Sequence, residues 1–300
     1  ENPHQKAAFY RQTVPLVKGK GLTDAKQLHG KQLSFNNIVD LDSAWQTAVY
    51  FSDPTVVIVK HNNPCGVGQD KDLSKAYKKA LAGDPVSAFG SIVAVNQEVD
   101  EAMAKEMSTL FVECIIAPNY SSAALKVLKQ KKNLRIIEMG KGSQDNPFKG
   151  FDFKRISGGL LIQDQDDAQL GINDIKIVTK KEPSVGQLED LFFAWGVAKH
   201  VKSNTIVLAK NNQVTGVGAG QMSRIDAAEL AVKKSGKEVK GTVLASDAFF
   251  PFKDVVELAA KHGISAIIQP GGSKRDQESI DAANQNGIAM VFTGRRHFRH

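Results

Sequence analysis

The chain has 300 residues, 42% hydrophobic and 24% charged, which suits one large folded domain or two of ordinary size. No apolar run approaches the roughly 18 residues that cross a membrane, and two cysteines, Cys65 and Cys114, make no disulfide framework, so a cytoplasmic protein is expected. The net charge of +7 suits a polyanion, but the basic residues sit in mixed runs such as Lys71 to Lys79 that read as solvated helix faces, so neither nucleic acid nor membrane is expected as a partner.

From Asp40 the sequence reads DLDSAWQTAVYFSDPTVVIVKHNNPCGVG. This pattern predicts a helix with Trp45 on its apolar face, then a strand, Val56 to Val59, apolar throughout and so covered on both faces. A glycine-bearing turn, Gly66-Val67-Gly68, follows. An Asp-led turn covers Asp84 to Gly90, and a buried strand, Ile115-Ile116-Ala117, ends at Pro118. A helical stretch and another apolar strand, 134–138, complete the segment. Residues 140–181 are rich in Gly, Asp, Gln and Lys. They read as a connector with one strand at Ile156 to Ile162.

From Asp190 the first pattern returns, without a gap, as DLFFAWGVAKHVKSNTIVLAKNNQVTGVG. Trp195 falls on Trp45, Lys210 on Lys60, and Gly216-Val217-Gly218 on Gly66-Val67-Gly68. A second Asp-turn at Asp247 to Phe252, a strand ending at Pro270, a helical stretch and a strand at 288–292 follow in the earlier order. Alternating strands and helices predict an α/β fold built twice. The units are expected at 1–139 and 182–300, joined by 140–181.

The copies differ after the first strand. Lys60-His61-Asn62-Asn63 stands against Lys210-Asn211-Asn212-Gln213. Histidine moves protons near neutral pH, and a neighbouring lysine can hold an oxyanion or a phosphate. Both sit at the carboxyl end of a buried strand, where open α/β sheets bind ligands. The pair alone fits loop filler as well as catalysis.

Two further features are open in the same way. Ser223 is placed to cap a helix from Arg224 to Lys234, setting Arg224 near a helix N-terminus ready for an anion. Arg295-Arg296-His297-Phe298-Arg299-His300 reads either as a frayed tail or as a phosphate clamp. Other chemistries fail on motif grounds. No H-x-E, no P-C-x-x-C at Pro64-Cys65, no Walker A, no G-x-G-x-x-G and no G-x-S-x-G occur, so zinc and dinucleotide sites are not expected.

In combination, ENPHQKAAFY, VKHNNPCG, SAFGSIVAVN, IIAPNY, SNTIVLAK, GAGQMSR, SDAFFPFKD and RRHFRH resemble the transformylase portion of the AICAR transformylase/IMP cyclohydrolase family, over essentially the whole chain. The resemblance implies two tandem cytidine-deaminase-like three-layer units without zinc. It implies formyl transfer from 10-formyltetrahydrofolate to the 5-amino group of AICAR, giving FAICAR and tetrahydrofolate, at sites shared across a homodimer.

By motif, the resemblance makes Lys60, His61 and Asn204 catalytic. It places His4, Gly90, Glu113, Arg224, Phe249 and Arg296 on the nucleotide. Glu113 stands where some members have Asp. Ile225, Pro251, Phe252 and Asp254 fall on the folate site. A potassium ion is implied near Ser203, Thr205 and Asp247, although Val201 stands where another member has Thr. In the family a cyclohydrolase portion precedes this region, and the sequence starts inside an R-Y-G-x-N-P-H-Q motif without its arginine and tyrosine. A nucleotide- and folate-binding fragment with little turnover is therefore the alternative expectation.

Overall fold

A computed structural model describes residues 2, 4–11, 21–143 and 150–300. Glu1 and Pro3 of the opening motif, and 144–149 of the expected connector, lie outside the described residues.

The first unit runs β1 (Lys26–His29), α1 (Phe35–Val49), β2 (Thr55–Lys60), β3 (Asn63–Gln69), α2 (Leu73–Gly83), β4 (Ser91–Val95), α3 (Glu101–Met107), β5 (Val112–Ala117), α4 (Ser122–Leu128) and β6 (Arg135–Glu138). A hairpin of β7 (Phe151–Ile156) and β8 (Gly159–Asp164) follows. Then come β9 (Lys176–Ile177), α5 (Val185–Lys199), β10 (Ile206–Ala209), β11 (Val214–Gly218), α6 (Arg224–Ser235), β12 (Val243–Ser246), α7 (Asp254–Lys261), β13 (Ala266–Gln269), α8 (Asp276–Gln285) and β14 (Ala289–Phe292).

The strands form two six-stranded mixed sheets, ordered β1-β6-β5-β4-β2-β3 and β9-β14-β13-β12-β10-β11. The sheets match strand for strand. In each, three central strands are parallel and the strands beyond them pair antiparallel. This is the mixed α/β architecture expected from the alternating elements.

One hydrophobic core contains α1, α5 and one face of each sheet, with Leu41, Trp45, Leu191 and Trp195 buried in it. The opposite faces are covered separately. One outer core holds Tyr77, Met103 and Leu128 from α2, α3 and α4, and the other holds Ala227, Val255 and Ala283 from α6, α7 and α8. Coverage on both faces explains the unbroken apolar strands Val56–Val59 and Ile206–Ala209.

The repeated Gly-Val-Gly has a packing cause. A Cβ at Gly66 or Gly68 would lie 1.9 or 2.5 Å from the Ala80 or Ala76 carbonyl oxygen of α2. At Gly216 or Gly218 it would lie 2.2 or 1.8 Å from the Ala231 or Ala227 oxygen of α6. Each helix thus rests on the backbone of its edge strand, which only glycine permits. Gly218→Ala is expected to destabilise the chain by roughly 2–3 kcal/mol, in the range of core overpacking. Urea unfolding would measure it, and a loss under 0.5 kcal/mol would refute the contact.

The expected single strand Ile156 to Ile162 is instead the inner half of a hairpin. Ser157 and Gly158 make its turn, with Gly158 at φ 76°. The apolar run continues across a turn because the residues on both sides are exposed and answer to no core. Within the residues expected as connector, β9 also pairs with β14 at the second sheet's edge.

Candidate functional site

β2 and β3 meet in a tight turn in which His61 and Asn62 have φ of 51° and 62°. Asp40 on α1 holds this turn by accepting from the Asn62 amide at 2.7 Å, while Ser43 Oγ donates to the Asn62 carbonyl at 3.0 Å. The second unit repeats the device. Asn211 and Asn212 both have φ 55°, and Asp190 on α5 accepts from their amides at 2.9 and 2.7 Å. This pinning accounts for the alignment of Asp40 with Asp190, a role the sequence reading missed. Asparagine tolerates left-handed backbone well. Other residues there cost on the order of 1–3 kcal/mol and cluster at functional sites. The first unit has an exposed histidine where the second has asparagine.

Lys60 Nζ donates to the carbonyls of Phe89 and Gly90 at 2.6 and 3.1 Å. Gly90 has φ 68°, and a Cβ on it would lie 3.2 Å from Lys60 Nζ. In the second unit Lys210 Nζ reaches the Lys240 carbonyl at 3.3 Å, beside Gly241 at φ 80°. The lysine is therefore a latch that both units share, and the histidine is what the first adds. An ammonium has three donors, so one remains on Lys60 for a ligand oxygen.

Between this turn and α6 lies a cavity of about 250 Å³, lined by Lys60, His61, Cys65, Asp84, Ser87 and Lys234 among others. Burial pushes the Cys65 thiol up to about 12, which removes it as a nucleophile.

A second cluster surrounds the fully buried Asp247. Its carboxylate accepts from the Arg224 guanidinium, from Ser203 Oγ, and from the Thr205 amide at 3.2 Å. Arg224 also donates to the Thr205 carbonyl at 3.2 Å and to Asn204 Oδ1 at 2.6 Å. Asn204 Nδ2 in turn donates to the carbonyls of Gln221 and Met222 at 2.9 and 3.2 Å. Ser223 caps α6 as expected, accepting from the Asp226 amide at 3.1 Å. Arg224 opens α6 where the sequence places it. It is buried, with its guanidinium turned onto Asp247.

The terminal segment is docked rather than frayed. The His297 amide donates to the Asp247 carbonyl at 3.0 Å, and the Ser203 amide to the Arg299 carbonyl at 2.9 Å. The His297 ring is buried 5.0 Å from that of Trp195 and pairs through Nδ1 with Asp166. Burial alone would raise the Asp166 carboxyl, but the hydrogen bond and charge of His297, with Lys199, bring it down to about 2. Arg296 is exposed, with its guanidinium 5.8 Å from the ring centres of both Phe249 and Phe298.

The remaining expected residues are scattered. Glu113 pairs with Arg135 at 2.5 Å, and Phe252 lies under the Arg275 guanidinium at 4.8 Å. Pro251 is exposed, Asp254 opens α7, and Ile225 packs against an outer core. His4 is exposed on the N-terminal segment. Lys60, His61 and Gly90 thus form one cluster, and Ser203, Asn204, Thr205, Arg224 and Asp247 another. Two cross-links join them: Asn63 Oδ1 accepts from the Lys202 amide at 3.1 Å, and Lys234 pairs with Asp84 at 2.6 Å. Among the described residues no three His, Cys, Asp or Glu side chains are grouped to hold a metal ion, and no helix is long and apolar enough to cross a membrane.

The two matched sheets, each with a lysine-latched turn at the end of a buried strand, define a twice-built mixed α/β protein. The chain belongs to the AICARFT/IMPCHase bienzyme family, whose model matches residues 1–234. It is 54% identical over 300 residues to the bifunctional purine biosynthesis protein PurH of Acetivibrio thermocellus. It is 52% and 51% identical to those of a Thermoanaerobacter species and of Oceanobacillus iheyensis. All of this chain is covered in each case, and it spans 58% of the relatives' length. A solved chain of Acinetobacter baumannii RibD aligns over 36% of this chain and 34% of its own, at a TM-score of 0.26 and 14% identity, a likeness that carries no argument.

Proposed function

We propose that this chain transfers the formyl group of 10-formyltetrahydrofolate to the 5-amino group of AICAR, giving FAICAR and tetrahydrofolate in cytoplasmic purine biosynthesis. The observation that carries the reading is His61, exposed on a left-handed turn above the cavity, where the other unit has asparagine. The AICAR amine is a weak nucleophile because its lone pair is delocalised into the ring and carboxamide. Attack on the formyl carbon therefore needs a partner that takes the amine proton, and His61 is that acceptor. The C–N bond forms, the carbonyl oxygen gains charge, and the remaining N–H donor of Lys60 meets it. Collapse breaks the bond to the folate nitrogen, which takes up a proton.

Asn204 orients the amine and carboxamide, and also fixes Arg224 beside it. Arg296, Arg224, His4, Gly90, Glu113 and Phe249 hold the nucleotide, while Ile225, Pro251, Phe252 and Asp254 face the folate. Asp247 gives both oxygens to protein donors, so with Ser203 and Thr205 it offers potassium no unengaged carboxylate oxygen, and no step is routed through a cation. The two sheets are read as cytidine-deaminase-like units, 1–139 and 182–300, with β9 of the intervening 140–181 added to the second.

The partner proposed for the chain is a second copy of itself. The β7–β8 hairpin supports this, because one of its faces carries Phe151, Phe153, Leu160 and Ile162, all exposed, with Asp164 at the base and Arg155 near the turn. An isolated hairpin is marginal in water. Two such faces packed with strands reversed bring Arg155 of each beside Phe151 and Asp164 of the other. Phe153→Asp is expected to weaken self-association at least tenfold in sedimentation equilibrium. An unchanged dimer would remove the hairpin from the interface.

The function itself is tested by folate-release absorbance on this chain beside one extended N-terminally. Release in both supports the reading. Release in the extended chain alone, with AICAR still bound by the shorter one, favours the binding-fragment alternative.

A further inference from the structure

We infer that Lys234, at the C-terminal end of α6, is a positioning residue for Lys60, gripping from the second unit the loop that holds the Lys60 ammonium. The inference rests on the proposed role of Lys60, but its geometric half stands apart from it.

The chain of contacts is continuous. Lys234 Nζ pairs with Asp84 Oδ2 at 2.6 Å, and Asp84 is largely buried. The same carboxylate accepts from the Ser87 amide at 3.0 Å and from Ser87 Oγ at 2.7 Å, folding the loop onto itself. The Ala88 amide donates to the Asp84 carbonyl at 3.1 Å. The next two residues, Phe89 and Gly90, present the carbonyls that hold Lys60. Burial works against the charge on Asp84, yet the hydrogen bonds from Lys234 and Ser87 hold its carboxyl below the usual range. Asp84 is thus a charged anchor whose outer partner comes from the other unit.

The two latch loops are held alike at the glycine and differ in how they connect to α6. The latch carbonyl for Lys210 belongs to Lys240, and the next residue, Gly241, donates its amide to the Gly263 carbonyl at 2.8 Å. That loop leaves α6 through a short 3-10 turn, Gly236–Val239. The loop serving Lys60 makes the equivalent bond, the Gly90 amide donating to the Phe111 carbonyl at 2.8 Å, and it exposes Val86 and Phe89. It buries Ala88 in the first unit's outer core and is tied to α6 through Asp84.

The helix suits the task. It lies on the β11 glycines in backbone contact. Its first residue, Arg224, belongs to the Asp247 cluster, and Lys234 is ten residues on, about 15 Å along the axis at 1.5 Å per residue. One rigid element thereby sets the spacing of the two clusters.

Two measurements test this on the 300-residue chain. The first is the rate at which an amine-acylating reagent modifies Lys60, read by peptide mass spectrometry relative to Lys210 in the same molecules. The second is kcat and KM for formyl transfer. Lys234→Ala is expected to raise the Lys60:Lys210 ratio at least threefold and to lower kcat about tenfold with KM for AICAR within twofold, since misplacement of about 1 Å in a reacting group costs up to a hundredfold. Lys234→Arg is expected to restore both. Asp84→Asn should reproduce Lys234→Ala, and the double variant should be no worse than either. An unchanged acylation ratio in Lys234→Ala, or independent effects in the double variant, overturns the inference. If the ratio rises but Lys60→Ala keeps full turnover, the catalytic reading of Lys60 falls and the brace stands.

Discussion

Replacing His61 by alanine is expected to lower turnover by at least about a hundredfold while AICAR affinity stays within a few-fold. General acid–base help is worth about 10²–10⁴ in rate. At 1.36 kcal/mol per tenfold, that is roughly 3–5 kcal/mol of barrier. The molecule supplies a better control than alanine. His61→Asn installs the residue that Asn211 already holds on the same backbone, where φ is 51° in one turn and 55° in the other. The Asp40 and Ser43 contacts that pin the first turn go to its backbone, so they persist in that variant. His61→Asn should therefore melt no lower than the parent chain yet transfer formyl no faster than His61→Ala. Single-turnover folate release decides it. Near-normal turnover in either variant would end the assignment of His61 as proton acceptor.

The largest stability effect is expected at Asp247. Removing one partner of a buried, hydrogen-bonded ion pair costs about 3–5 kcal/mol, because the surviving charge is left without compensation. Asp247→Ala strands the buried Arg224 guanidinium and deprives Ser203 Oγ and the Thr205 amide of their acceptor. At roughly 2–4 °C per kcal/mol, a fall in melting temperature on the order of 10 °C follows. Adding Arg224→Met to that background should recover part of the loss, since no unpaired charge remains. Scanning calorimetry would show both effects, and a shift under 2 °C in the single variant would mean that Arg224 finds water instead.

Much of the architecture was legible from periodicity. The aligned segments from Asp40 and Asp190 give the same helix, strand and turn in both units, because the aligned positions answer to the same packing. Trp45 and Trp195 are both buried in the core between the sheets. What escaped was polar and long-range. The turn of Arg224 onto Asp247 joins residues far apart in sequence, and nothing local in GAGQMSR distinguishes an arginine aimed at solvent from one aimed inward. The docking of His297 depends likewise on Asp166 and Trp195. The hairpin was read as one strand because Leu160, Leu161 and Ile162 continue an apolar run past Ser157-Gly158-Gly159, a turn signal outweighed by hydrophobicity. For the Lys60-His61 turn, the useful signal was the internal comparison. It singled out the histidine, but the shared lysine could be explained only when its latch to the carbonyl before a left-handed glycine was seen in both units.

That shared latch gives the molecule an unloaded copy of its own reactive turn. The Asn211 turn has the same carboxylate pin and the same lysine clasp, with no histidine to carry. Drift in the first turn can thus be read against a blank folded in the same chain, at the same temperature and in the same tube. Any change of solvent or denaturant that loosens both turns alike acts on the scaffold. One that loosens only the turn bearing His61 acts on what was added to it.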